Sequence, residues 1–283
     1  MSAYEISLLT LVGIHVMLAL SLNLITGFCG QISLGHAAFY GVGAYTAALL
    51  AKAGFWMWAT LPASVVAAGA AGLLVGFCSL RVRDDFLAIA TMGAGFLFIG
   101  IVRQNDALGG ELGISRIPDP GLEAGGFLAL VLLFTLLVIA FCVYLKRSWL
   151  GFAFDAVAAD EAAAQTIGVS VADYKLSAFA LGTALAGLAG GLYAYYLRSV
   201  GIEAFGFPVS ILILAMVVIG GMGSIAGSVV AAVLLTLLPE WFHFISDYKL
   251  LVFGGLLFAI MRFAPGGLAG WAADLLAALK SRT

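Results

Sequence analysis

FPVSILILAMVVIGGMGSIAGSVVAAVLLTLL, residues 207–238, contains no charged side chain. It is the middle of a longer region, 173–262, in which three apolar stretches are broken by Gly220-Gly221-Met222-Gly223-Ser224. A charge at mid-bilayer costs about 2.5–3.5 kcal/mol even on the lenient insertion scale, so such a region is built for lipid rather than water. The rest of the chain agrees. Of its 283 residues, 63% are hydrophobic and 10% charged, where a soluble domain carries roughly 25% charged residues. The fold class that follows is all-α, a polytopic membrane helix bundle forming a single domain over 1–283.

Composition also excludes several functions. A formal net charge of −2 leaves no basic patch for nucleic acid. Cys29, Cys78 and Cys142 are isolated in apolar contexts and read as small hydrophobes, with no redox or zinc motif among them. Met1 to Glu5 lacks the basic n-region of a signal peptide, so the first span is expected to stay in place. The 36 glycines fall inside apolar runs, where a small residue lets two helix backbones approach closely.

A span needs about 20 predominantly apolar residues. On that ruler the candidates are 5–27, 32–53, 58–80, 84–103, 126–145, 173–197, 208–221, 224–246 and 248–262, about nine segments within a range of eight to ten. The seventh and ninth are short, as half-helices and re-entrant pieces are. Basic residues near span ends set the orientation. Arg81, Arg83, Lys146, Arg147, Arg262, Lys280 and Arg282 fall on one side, and Lys52, Arg103, Arg116, Arg198 and Lys249 on the other, if 146–172 and the tail 263–283 are cytoplasmic, which leaves the N-terminus outside and the C-terminus inside. The 104–125 loop, with Asp106, Glu111, Asp119 and Glu123 against Arg116, is then extracytoplasmic. Trp56, Trp58, Trp149, Trp241 and Trp271 lie near span ends as interfacial anchors.

Residues 146–172 are the longest cytoplasmic stretch that is neither span nor tail. Asp160-Glu161-Ala162-Ala163-Ala164 is a strong helix former with its acidic residues early, where the helix dipole favours them. We expect a helix over 155–168, a turn at Gly168, and a second start at Ser170 or Asp173. The segment is either an ordinary connection or a docking element for a cytoplasmic partner.

No catalytic or metal-binding constellation is evident. His15, His36 and His243 are scattered, and H-E-x-x-H, paired Cys, G-x-S-x-G and the P-loop motif are all missing from the sequence. Any ATP used must be bound by another chain. What remains are polar residues at membrane depth, which are costly and therefore functional candidates. The densest group is Asn23, Gln31, Ser33, His36 and Tyr40, threaded among Gly27, Gly30, Gly35, Gly41 and Gly43. These glycines permit a broken helix whose free backbone groups line a polar passage. Alternatively, Ser33 and His36 hydrogen-bond a neighbouring helix. Gly182, Ala186 and Gly190 share one helix face, and Thr183, Gly187 and Gly191 another, a small-residue pattern most simply read as a packing seam. Gly93 and Gly100 look similar.

Three motifs carry a family resemblance. The first is Ser21-Leu22-Asn23-Leu24 through Gly27, then Gly30-Gln31-Ile32-Ser33-Leu34-Gly35-His36-Ala37-Ala38-Phe39 and Gly41-x-Gly43-Ala44-Tyr45. The second runs from Asp160-Glu161-Ala162-Ala163 and Gly168 to Lys175-Leu176-x-Ala178-Phe179 and Ala186-Gly187-Leu188-Ala189-Gly190-Gly191-Leu192-Tyr193. The third is Gly220-Gly221-Met222-Gly223-Ser224-Ile225-x-Gly227 with Leu238-Pro239-Glu240 and Pro265-x-Gly267-Leu268. In this order and over most of the chain, they resemble the M-type permease subunits of branched-chain amino acid ABC importers.

The resemblance implies a second, homologous permease, two cytoplasmic ATPase subunits that bind the ATP and Mg, and an extracytoplasmic solute-binding protein, all at the bacterial inner membrane. This chain itself would be a permease without catalysis or cofactor of its own. Residues 155–172 match the family's coupling loop, so Asp155, Asp160, Glu161, Ala162, Ala163 and Gly168 are expected to meet an ATPase. The family usually carries an Arg shortly before the acidic pair. Here that region has Ala158, with Asp155 close by. Related permeases serve urea, short amides or aromatic carboxylates, so substrate stays open within this class. The rival class is a stand-alone channel or secondary carrier, which should show inverted repeats and buried coupling carboxylates. Neither is clear in this sequence.

Overall fold

The computed structural model describes residues 2–79, 84–241, 249–263 and 266–271. Arg81, Arg83, His243, Lys280 and Arg282, and most of the expected 263–283 tail, lie outside the described residues.

Helix α1, Ala3–Asn23, opens with a reciprocal cap. The Ser2 hydroxyl accepts the Glu5 N–H at 3.2 Å and the Glu5 carboxylate accepts the Ser2 N–H at 2.9 Å. Its apolar residues run all round the helix, which suits a helix surrounded by protein. Accordingly, α1 is the axis of the bundle, packed by the helices that follow. It passes into a π-helical turn, Leu24–Phe28. The helix ends at Gly30, whose φ of +74° is left-handed, with the Gln31 N–H returning to Ile25 O at 3.1 Å.

Helix α2, His36–Lys52, therefore starts later than the expected 32, because residues 30–35 are non-helical. Then come α3, Met57–Ser79, α4, Asp84–Gln104, and α5, Ala124–Arg147. A two-residue strand β1, Ile114–Ser115, lies in the loop between α4 and α5 and pairs antiparallel with β2, Ser199–Val200. Beyond α5 lie α6, Trp149–Ala159, α7, Glu161–Thr166, and α8, Val171–Leu197. Helices α9, Phe207–Gly220, and α10, Ile225–Trp241, flank the Gly-rich loop, and α11, Lys249–Phe263, packs on α9.

Helices thus occupy all nine expected segments, but among the described residues six stretches are long and apolar enough to cross a bilayer: 3–28, 57–78, 87–104, 124–147, 171–197 and 202–220. Helices α2, α10 and α11 have 17, 17 and 15 residues.

The two small-residue rows of α8 face different neighbours. A Cβ on Gly182 would lie 2.7 Å from Ser21 O of α1, and one on Gly190 would lie 2.1 Å from Tyr40 O of α2. In the other row, a Cβ on Gly187 would lie 2.5 Å from Ser64 O of α3. Helices α1, α2, α3 and α8 therefore pack backbone to backbone as one body. Gly93 and Gly100 do not belong to such a seam within this chain, since a Cβ on either meets nothing within 4 Å. Outward faces are those of a lipid-facing surface, as with Leu73 and Leu74 of α3, Phe96 and Leu97 of α4, and Leu133, Leu136 and Leu137 of α5.

The two ends of the bundle differ. One carries the β1–β2 pair, the Arg198–Asp119 ion pair at 2.9 Å, and a Tyr196 hydroxyl donating to Ser7 O. The other gathers the π-turn, the 30–35 break, α6, α7 and the 221–224 loop.

Candidate coupling and translocation site

The irregular backbone at the second end is held by side chains from several helices. Asn23, the last residue of α1, is buried, and its Oδ1 accepts the Gly223 N–H at 2.9 Å while its Nδ2 donates to Ser224 O at 3.3 Å. Lys146 at the end of α5 donates to Gly223 O and sits 5.1 Å from the centre of the Phe28 ring. Gly223 has a φ of +80°, so its backbone N–H and C=O are both engaged by side chains while the residue holds a left-handed conformation. Gly27 makes room for this arrangement. A Cβ there would come within 2.0 Å of Asn23 Oδ1 and 2.3 Å of Gly223 N.

The 30–35 break is satisfied in the same manner. The Leu34 N–H donates to Thr91 Oγ1 of α4 and the Ala37 N–H to Ser210 Oγ of α9, both at 3.0 Å, so two donors at the start of α2 are met from other helices. Gln31 Nε2 donates to Lys175 O in the first turn of α8 at 2.9 Å. His36 Nε2 lies 2.7 Å from Ser21 Oγ, and that hydroxyl donates to Leu18 O at 2.7 Å. With the hydroxyl so committed, Nε2 is the donor in the His36–Ser21 bond, and Nδ1 of the neutral ring is an acceptor. Among the described residues that atom and the Ser33 hydroxyl are buried without a hydrogen-bond partner, as are the hydroxyls of Thr26 and Ser228.

All five sequence candidates are thus interior, none more than 4% exposed. They do not line one described cavity. Asn23 clasps the Gly-rich loop, Gln31 reaches α8, and Tyr40 joins an aromatic layer with Tyr193 and Phe205. Two cavities, of about 280 and 480 Å³, open instead beside Pro120 at the opposite end. Sequence reasoning missed Lys146 as a clamp, having used it only as a topology marker. It also missed Thr91 and Ser210, which no local pattern distinguishes.

The expected single helix over 155–168 is two helices. Asp160 has φ −162° and ψ 112°, and its Oδ1 accepts the Ala162 and Ala163 N–H groups at 2.8 and 3.0 Å, capping α7 and breaking it from α6. The turn at Gly168 is as expected, with φ +87°, and Ser170 is the N-cap position of α8. Glu161 pairs with Lys175. Ala164 is buried and anchors α7, while Asp155, Ala162, Ala163 and Ile167 face outward. Among the described residues no three His, Cys, Asp or Glu side chains converge on a metal-sized site.

Residues 5–261 match the family described as branched-chain amino acid transport system / permease component. The high-affinity branched-chain amino acid transport system permease protein LivM of Escherichia coli (strain K12) is 38% identical over 294 aligned positions, covering 93% of this chain and 69% of that protein. LivM of Salmonella typhimurium is 37% identical with the same coverage. The LivH permease protein of the E. coli system is 24% identical across 92% of each chain. No solved structure matches the chain.

Proposed function

The chain belongs to the branched-chain amino acid transport permease family, and from that premise we propose that it is the M-type membrane subunit of an ATP-binding cassette importer for branched-chain or related amino acids. It works with a second, homologous permease, two cytoplasmic ATPases carrying ATP and Mg, and an extracytoplasmic solute-binding protein. It is a multi-pass membrane protein, and we place it in the bacterial inner membrane with α6, α7 and the C-terminus inside and the N-terminus outside.

The observation that carries this reading is where the irregular backbone gathers. The Asp160-capped helix α7, the π-turn, the 30–35 break and the Gly220–Ser224 loop meet at one end of α1. A cytoplasmic motor acting on α7 would reach all of them. Helices α1, α2, α3 and α8 would rock as one body past the α9–α10 pair in alternating access. Ser33 and His36 would then be the groups that meet solute, because of the four with a buried polar atom unpartnered among the described residues, Thr26, Ser33, His36 and Ser228, these two border the 30–35 break. His36 Nδ1, as an acceptor, suits the N–H groups of an amino acid. Asn23 and Gln31 fix the elements bordering the path, and Tyr40 supplies an aromatic wall.

The test is uptake of radiolabelled leucine into proteoliposomes holding this chain with its cognate permease, ATPase and binding-protein chains. We expect ATP-dependent uptake that isoleucine and valine compete. Uptake that persists without ATP would make the protein a stand-alone channel or carrier and end the reading.

A further inference from the structure

Helix α7 touches the bundle through a polar joint as well as through the buried Ala164. Glu161, its first residue, pairs with Lys175 in the opening turn of α8. The carbonyl of the same Lys175 accepts Gln31 Nε2 at 2.9 Å. One residue earlier in the chain, the Gly30 backbone lies against α6, such that a Cβ on Gly30 would be 3.3 Å from Ala158 Cα and 3.4 Å from its Cβ. Residues 30 and 31, which begin the break leading to Ser33 and His36, are therefore gripped from both α6 and α8.

The ion pair differs from the other two described. Arg103–Glu111 and Arg198–Asp119 are more than half exposed on both sides, whereas the Lys175 side chain is 13% and that of Glu161 37% exposed. Exposed pairs hold little, because solvent screens them and two long side chains must be ordered. A largely enclosed lysine is costly to strip of its partner, so this pair resists separation when α7 is displaced.

We propose that the Glu161–Lys175 ion pair is the joint that passes displacement of α6 and α7 to the unwound 30–35 segment, with Lys175 as a positioning residue that grips α7 by its ammonium and Gln31 by its carbonyl. This rests on the reading of α7 as the ATPase-facing element. Lys175 itself touches neither solute nor ATPase. Its part is to keep the break in register with the element that is pushed.

The experiment uses the complete complex in proteoliposomes, with uptake and ATP hydrolysis measured on one preparation. ATP-driven uptake by the unaltered chain is read first, and its absence counts against the functional reading rather than the joint. Lys175→Gln should lower solute carried per ATP by about fivefold or more, the lower end of ordinary coupling energies, while the ATPase still copurifies. The reversed pair, Glu161→Lys with Lys175→Glu, should recover most of that loss. An unchanged ratio in Lys175→Gln, or a reversed pair no better than Lys175→Gln alone, would overturn the proposal. If Lys175→Gln does not assemble, a Gly30→Cys/Ala158→Cys pair decides in a background without the native cysteines, its Cβ separation being close to that of a disulfide. Because the joint moves as a unit, the oxidised pair should still transport. Uptake abolished by oxidation and restored by a reductant would refute it.

Discussion

Asn23→Ala separates a clamp from a path-lining group. The amide makes two hydrogen bonds to the Gly-rich loop, at 2.9 Å to Gly223 N and 3.3 Å to Ser224 O, and is 1% exposed. Each such bond is worth about 0.5–1.5 kcal/mol net, and a buried group left unpaired costs about 1–3 kcal/mol. Gly223 and Ser224 are only partly buried, so water can replace some of what alanine removes, and Lys146 still holds Gly223 O. The sum is about 1–3 kcal/mol of lost stability. At about 2–4 °C per kcal/mol for domains of comparable size, the midpoint of thermal unfolding in detergent should fall by roughly 2–12 °C. Uptake should fall with it, because α1 and the α9–α10 hairpin lose their tie. An unchanged midpoint with lost uptake would refute the clamp and leave Asn23 as a group that serves solute directly.

Ser33→Ala should do the reverse, since it removes a buried hydroxyl that has no partner among the described residues and whose desolvation costs about 1–3 kcal/mol; the melting midpoint should hold or rise while uptake falls, and a lower midpoint would expose a structural bond. Gly190→Ala places a Cβ 2.1 Å from Tyr40 O and should cost about 1–3 kcal/mol or more of stability by overpacking the α2–α8 seam, read in the same melting assay. Gly100→Ala meets open space on α4 and should be neutral or stabilising by about 0.5–1 kcal/mol, so loss of the copurifying second permease in that variant would mean that this face meets a partner rather than lipid.

The helices were legible from apolar length alone, because lipid imposes that length on any span. The α8 seam was legible too, since glycines at helical spacing have few other uses in an apolar run. The breaks were harder to read. The start of α2 depends on Thr91 and Ser210, which are distant in sequence and meet the Leu34 and Ala37 N–H groups either side of its first residue only in the folded bundle. The interruption at Asp160 is hidden by the helix-forming alanines after it, which serve equally well as the first turn of a new helix. Lys146 illustrates the general difficulty. A basic residue at a span end is a topology marker in every membrane protein, and nothing local tells that this one reaches Gly223.

Two kinds of contact divide the molecule, and the division bears on how it could move. Where α1, α2, α3 and α8 meet, glycines bring backbones into contact, and sliding one helix past another would drive carbonyls into Cα atoms. Such an interface moves as one body. At the 30–35 break and the Gly220–Ser224 loop, backbone groups are satisfied instead by side chains on other helices: Thr91, Ser210, Asn23 and Lys146. Side-chain bonds can be exchanged for water or for other partners without unwinding a helix, whereas a lost ladder bond in lipid has no substitute. At these two sites the non-helical backbone thus has replaceable partners, unlike the β1–β2 pair at the other end. That is the arrangement expected if the body of α1, α2, α3 and α8 rocks against the α9–α10 pair, with partners exchanged at the two breaks.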